Sequence, residues 1–188
     1  MTEELLEPYL RKIRIREIRR YIPDGAVLCD IGCGFSAGFL QDISHRISKG
    51  YGFDKKIEDK SIGNIFIKNA DIHDRIPLED ETIDCVTLLA VLEHLSDSKK
   101  VLFECNRILK SGGILILTTP SLKSKPLLEF LSFKFGIVSP VEIADHKHYY
   151  SKRELNDLLI CSGFCVIKCS SFEFGLNNML IAFKKDRK

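Results

Sequence analysis

Val27-Leu28-Cys29-Asp30-Ile31-Gly32-Cys33-Gly34 joins an apolar run to an acidic residue and then to two glycines one position apart. Aliphatic and β-branched residues suit a buried strand, and a tight turn at its carboxyl end calls for glycine where the backbone takes positive φ or lies against a ligand. Asp30 adds the chemistry. A turn built only to hold a pyrophosphate is not helped by a carboxylate at its mouth, because the bound anion would be repelled. A ligand carrying an ammonium group is drawn to one. The stretch therefore predicts a strand, a glycine turn and a nucleotide-shaped ligand with a cationic amine.

Working outward, residues 3 to about 21 read as an amphipathic helix, with Leu6, Tyr9, Leu10, Ile13 and Ile18 near helical spacing and Pro23-Asp24-Gly25 as the stop. Downstream, strands are expected at 26–31, 50–53, 65–68, 83–89 and 114–119, and helices at 38–47 and 98–109, the second closed by Gly112-Gly113. Crossovers of this length imply parallel strands with helices on both faces. Residues 120–150 have no clean period and read as a lid-like insertion. Ser151-Lys152-Arg153-Glu154 is a capping box for a helix that Gly163 stops, and 164–169 with 178–183 read as an antiparallel hairpin at the sheet edge. The expected fold is a single α/β domain over 1–188, doubly wound around a mostly parallel seven-stranded sheet.

Composition narrows the classes of function. A chain of 188 residues, 45% hydrophobic and 29% charged, buries an ordinary globular core, and a net charge of +2 gives no general attraction for nucleic acid. Arg11, Lys12, Arg14, Arg16, Arg19 and Arg20 crowd the first helix and read as a solvated face. No apolar run reaches the roughly 18 residues of a membrane span, and the acidic start Met1-Thr2-Glu3-Glu4 is unlike a secretory signal, so a cytoplasmic location is expected. Seven cysteines without a CxxC pair read as reduced, packed thiols. Cys161, Cys165 and Cys169 straddle a helix end and a strand, and no metal site is read there.

In an open α/β sheet, ligands sit beyond the carboxyl ends of the strands. Asp30 ends the first strand, Asp54 the second, and Asp71 follows the third. Each alone reads equally well as a turn or cap residue. Three carboxylates on one rim instead match a ligand with donors at three places. S-adenosyl-L-methionine offers an ammonium for Asp30, two ribose hydroxyls for Asp54 and an adenine amino group for Asp71.

With these residues in place, the chain resembles the class I S-adenosylmethionine-dependent methyltransferases of the small-molecule type, similar to ubiquinone-biosynthesis enzymes, and the resemblance implies their Rossmann-like fold. The matching pieces are Asp30-Ile31-Gly32-Cys33-Gly34, Gly52-Phe53-Asp54, Ala70-Asp71-Ile72, Ile83-Asp84-Cys85-Val86 with Val91-Leu92-Glu93-His94-Leu95, and Arg107 through Gly113. His148-Tyr149-Tyr150-Ser151 with Gly163-Phe164 extends the match. Ser36 stands where the family often has a third glycine, and is expected to cap the following helix instead. The resemblance implies that Gly32, Cys33 and Gly34 lie against the methionine part of the cofactor, that Ile72 packs on the adenine, and that Leu89 and Ala90 line the floor near the sulfonium.

Methyl transfer is a single in-line displacement, so the protein aligns the reactants, excludes water, and deprotonates a hydroxyl or protonated amine. His94 is the first candidate base, since it follows the fourth strand on the ligand side and titrates near neutral pH. His146, His148, Tyr149 and Tyr150 cluster where a substrate lid would sit, with His148 and Tyr149 as weaker candidates. Glu93 reads as structural, and the Glu93-His94 pair alone is too small a set to hold a metal ion. The expected partner is a small-molecule or lipid- or saccharide-linked acceptor. Two other readings stand beside this one. A non-catalytic S-adenosylmethionine-binding module would carry the same pocket. An NAD(P)-dependent oxidoreductase meets two obstacles: Gly32-x-Gly34-x-x-x-Gly38 is one residue too long for the dinucleotide fingerprint, and Asp30 would face a pyrophosphate.

Overall fold

The computed structural model describes residues 7–55, 57–72, 75–124 and 147–185, the first four of these as backbone only. Eight strands form one sheet in the order β3-β4-β2-β1-β5-β6-β8-β7. Its centre is parallel: β1 (Val27–Ile31) lies between β2 (Lys49–Asp54) and β5 (Ile83–Leu89), with β4 (Ile65–Asn69) beyond β2 and β6 (Leu109–Pro120) beyond β5. β8 (Asn177–Lys184) runs antiparallel to β6, and β7 (Phe164–Phe172) pairs with it as the edge, as the hairpin reading expects.

The sheet carries a buried apolar layer on each face. One layer joins Val86, Leu88 and Leu115 to Val101, Leu102 and Cys105 of α3 (Ser98–Ile108) and to Leu155 and Leu159 of α4 (Lys152–Cys161). The other joins Leu28, Ile65 and Ile181 to Phe39, Leu40 and Ile43 of α2 (Gly38–Ile43) and to Ile18, which ends α1 (Glu7–Ile18). Helix α3 turns Val101, Leu102, Cys105 and Ile108 inward at helical spacing, and the Asp97 side chain caps it by accepting the Lys100 N–H at 3.0 Å. Helix α4 opens on the expected capping box between Ser151 and Glu154.

Several boundaries differ from expectation, each for a local reason. The sheet has eight strands rather than seven, because Lys60–Ile62 (β3) turns back across Gly63-Asn64 to pair with β4; three exposed residues carry no alternation to read. Gly112-Gly113 does not close the helix. The chain enters β6 at Leu109, and the glycines fall where its register with β5 shifts between Ile83 and Cys85. Helix α2 is shorter than read and passes into a 3₁₀ turn at Ser44–Arg46, as α1 does at Arg19–Tyr21. Ala37, not Ser36, takes the N-cap position of α2, with left-handed backbone and no side-chain cap. Cys29, Cys33, Cys85 and Cys105 are packed as expected, whereas Cys161, Cys165 and Cys169 are exposed. Of the lid-like insertion, residues 125–146, with His146, lie outside the described residues; its two ends meet in an isolated bridge between Ser121 and Tyr150.

No helix among the described residues is long and apolar enough to cross a membrane.

Candidate functional site at the carboxyl rim of the sheet

Chain order reverses about β1: β2 continues to one side and β5 to the other, leaving a crevice above its carboxyl end. The expected residues gather there. Asp30 lies in register with Gly52 of β2 and Thr87 of β5, and is 3% exposed. Thr87 Oγ1 donates to Asp30 Oδ1 at 2.6 Å. Burial pushes the Asp30 carboxyl up to about 7, against the pull of that hydrogen bond and of the Arg14 charge, while nearby Asp54 raises it further. The Asp54 charge thus reaches Asp30 across the turn.

Gly32 and Gly34 both take positive φ, 72° and 70°. At Gly32 a Cβ would come 2.4 Å from Val91 Cγ2, so the turn is pressed onto the segment after β5. A Cβ at Gly34 would meet nothing within 4 Å, which leaves open space against the backbone. The Gly34 N–H donates to Asp54 Oδ2 at 3.0 Å, so the carboxylate expected to accept ribose hydroxyls also holds the turn in place. Cys33 is buried beneath it, its Sγ 2.9 Å from where a Cβ on Gly52 would stand. Asp71 is exposed on the same rim, two residues beyond Asn69, the partner of Asp54 in the β2–β4 ladder; Ile72 beside it is buried.

On the β5 side, Leu89 and Ala90 close the strand. Ala90 has φ 58° and donates its N–H to Thr118 O at 3.0 Å, which ties the end of β5 to β6. His94 is half-buried in the 3₁₀ turn Leu92–His94. Its neighbour Glu93 is 1% exposed, and its carbonyl accepts the N–H groups of Lys147 and His148 at 2.8 and 3.3 Å. These bonds draw the far end of the insertion onto the rim. Tyr149 is half-buried there. Tyr150 OH is 2.7 Å from Ser98 Oγ, and exposed His148 packs edge-on against the Tyr150 ring with Nε2 3.6 Å from Glu154 Oε1.

Three participants escaped the sequence reading. Thr87 is a polar residue inside an apolar strand, and that was its only signal. Arg14 belongs to the basic helix taken as solvated, yet its charge reaches both Asp30 and Glu93. Arg11 Nε lies 3.6 Å from Asp42 Oδ2, and its guanidinium carbon is 2.8 Å from where a Cβ on Gly38 would stand. The solvated-face reading holds for exposed Lys12, Arg16, Arg19 and Arg20, not for these two.

The buried Asp30, the open face at Gly34 and the Asp54 clasp fit a cationic nucleoside ligand. Residues 3–168 match a family model described as a methyltransferase domain. A Mycolicibacterium smegmatis protein named "Probable S-adenosylmethionine-dependent methyltransferase" is 26% identical over 148 residues, covering 74% of this chain and 52% of its own. The demethylmenaquinone methyltransferase of Staphylococcus haemolyticus is 31% identical over 145 residues, covering 69% and 60%. The chain thus spans half to three fifths of the length of these curated relatives. The solved structure of the [4+2]-cyclase SpnF superimposes with a TM-score of 0.71 at 14% identity, covering 94% of this chain and 82% of that one, a likeness of fold alone. The chain belongs to the methyltransferase-domain family, with a Rossmann-like fold and S-adenosyl-L-methionine as the implied cofactor.

Proposed function

We propose that the protein transfers the methyl group of S-adenosyl-L-methionine to a small-molecule or lipid- or saccharide-linked acceptor. The observation that carries this reading is the glycine turn held by Asp54, with a buried carboxylate, Asp30, at its mouth. Asp30 would hold the cofactor's ammonium, the Gly32–Gly34 backbone its methionine portion, Asp54 its ribose and the Asp71-Ile72 segment its adenine. When bound, the cofactor supplies an electrophilic methyl group. The residues around it fix its direction and keep water away from the line of attack, which is most of what a one-step displacement requires. Leu89 and Ala90 provide the apolar floor beside that line. An acceptor would approach from the β5–β6 side, where Tyr149, Tyr150 and His148 stand.

A second reading, a non-catalytic S-adenosylmethionine-binding module, would keep the same Asp30 and Asp54 geometry.

Titration calorimetry with S-adenosylhomocysteine, the demethylated cofactor, tests the pocket. Binding is expected in the wild type and weakened at least tenfold in Gly32→Ala, where the new methyl meets Val91, and in Asp30→Asn. Tight binding of NAD in its place would sink the assignment. Transfer of tritiated methyl to extract components then separates a methyltransferase from a binding module.

A further inference from the structure

Two polar side chains on the rim are left without work in the fold. Neither oxygen of Glu93 has a hydrogen-bond partner among the described residues, and neither does Thr119 Oγ1, although both residues are buried. Glu93 follows β5 and Thr119 lies near the end of β6, its neighbour in the sheet. Both therefore stand on the side of the crevice away from β2 and β4, past Ala90. Burying an ionisable group without a partner is strongly unfavourable, so a structural role would ordinarily supply one. Here the Glu93 main chain is pinned through its carbonyl while the side chain is left unmatched.

The electrostatics agree. Burial pushes the Glu93 carboxyl up to about 7; its own main-chain N–H and then Thr119 lie near enough to ease it, though neither in hydrogen-bond geometry, and the Arg14 charge eases it further. The Glu93 charge reaches Tyr150, whose hydroxyl pKa is raised chiefly by its own burial and in part by that charge. A carboxyl poised near neutral pH beside a bound electrophile has the properties of a general base.

We propose that Glu93, assisted by Thr119, is the acceptor-side catalytic residue, taking the proton of an acceptor that presents an N–H or O–H group to the methyl donor. As the acceptor's lone pair forms the bond to the methyl carbon, its proton passes to a Glu93 oxygen. The sulfur keeps the electron pair of the bond it loses, and the proton leaves Glu93 for water after product departs. This rests on the methyltransferase reading above. His94, its more exposed neighbour and the candidate base from sequence, is not needed for the step.

The test uses Glu93→Gln and Glu93→Met. A buried, unmatched carboxyl opposes folding, so at pH 8 both variants are expected to melt higher, by about 5 °C. Affinity for S-adenosylhomocysteine is expected to stay within twofold. Transfer of tritiated methyl to the small-molecule and lipid fractions of a cell extract is expected to fall at least a hundredfold and to lose its rise with pH up to about 7. Lower melting in both variants would make Glu93 a structural residue, and retained transfer would remove it from the chemistry. Tenfold weaker S-adenosylhomocysteine binding would assign it to the cofactor. Each result overturns the proposal alone, whereas a wild type that fails to bind S-adenosylhomocysteine overturns the methyltransferase reading instead.

Discussion

Lys184 and Glu93 are both ionisable residues buried against the same sheet, 4% and 1% exposed, at opposite edges. Lys184, at the end where the parallel strands begin, donates to Glu81 Oε1 at 2.9 Å and to Leu109 O at 2.7 Å. Glu93, at the end where they finish, is matched by nothing among the described residues. The contrast extends to neighbours. At the amino edge, Asp84 accepts the Val27 N–H and the Lys110 ammonium, and Arg107 is ringed by acceptors. At the carboxyl edge, Asp30 and Glu93 are both raised to about 7 because burial outweighs the help they receive. One edge uses its charges to hold the fold; the other keeps carboxylates under-served, which is how a sheet of this kind reserves groups for a ligand.

Breaking the amino edge should therefore cost stability and spare ligand binding. The largest effect is expected at Arg107. Its guanidinium donates to Leu78 O, Asp80, Ile76 O and twice to Glu104, between 2.7 and 2.9 Å, and ties the segment before β5 to α3. Arg107→Ala removes all five bonds and takes the donor from Leu78 O, while Ile76 O keeps the Leu78 N–H, for a loss of roughly 3 kcal/mol in urea unfolding. S-adenosylhomocysteine affinity of the folded variant should be nearly unchanged. A loss of binding without a loss of stability would erase the division between the two edges.

Lys184→Met is the matched counterpart of Glu93→Met. Removing the ammonium leaves Leu109 O without its donor but frees Glu81 to reach water, so the expected loss is roughly 2 kcal/mol. The same kind of exchange at Glu93 should stabilise. Equal signs at both sites would show that burial alone, not matching, sets the outcome.

The carboxyl edge should also reveal itself through pH. On the proposed reading Asp30 must be ionised to hold an ammonium, yet burial keeps its pKa near 7. Below that value binding must first expel a proton. S-adenosylhomocysteine affinity should therefore weaken by up to about tenfold per pH unit below 7 and level off above it. The slope should persist in Glu93→Gln and vanish in Asp30→Asn. Fold stability runs the other way: a carboxyl whose folded pKa is raised contributes most below its ordinary value near 4, and that contribution is lost as pH rises to 7. Acid should thus loosen the ligand while it firms this edge of the protein.

How far these two edges were legible in the sequence follows from the same physics. Asp30, the glycine turn and Asp54 could be read because a strand that ends in an acid and two glycines is a local pattern. The capping box of α4 and the β7–β8 hairpin were legible for the same reason. The partners that give those residues their character come from far away. Thr87 reaches Asp30 across 57 positions, and Lys184 reaches Leu109 across 75. Nothing in the run Leu92-Glu93-His94 says which of two adjacent polar residues turns into the sheet, and the histidine drew attention because its ordinary pKa lies near neutrality. Burial moved the glutamate into the same range. Strand β3 was missed because three exposed residues leave no periodicity, and α1 misled because six basic residues read as one solvated face when Arg11 packs against α2 and the Arg14 charge reaches Asp30 and Glu93.

The smallest effect tests where the boundary of the reserved region lies. Tyr150 bridges the two kinds of environment: its hydroxyl meets Ser98 Oγ at 2.7 Å, its carbonyl accepts from Asn178 Nδ2 at 3.3 Å, and its pKa is raised first by burial and then in part by Glu93. If Tyr150 belongs to the structural set, Tyr150→Phe loses one half-buried hydrogen bond, about 1 kcal/mol, while Ser98 keeps its contact to Leu92 O at 3.4 Å. Methyl transfer should then be untouched. If the hydroxyl instead orients the acceptor beside Glu93, stability should change by the same small amount but kcat/KM for transfer should fall with it, and the fall should disappear in a Glu93→Gln background because the two groups would act on one proton. A double-mutant cycle therefore places Tyr150 on one side of the line: additive effects keep it with Lys184 and Arg107, and non-additive ones move it to the carboxylates of the rim.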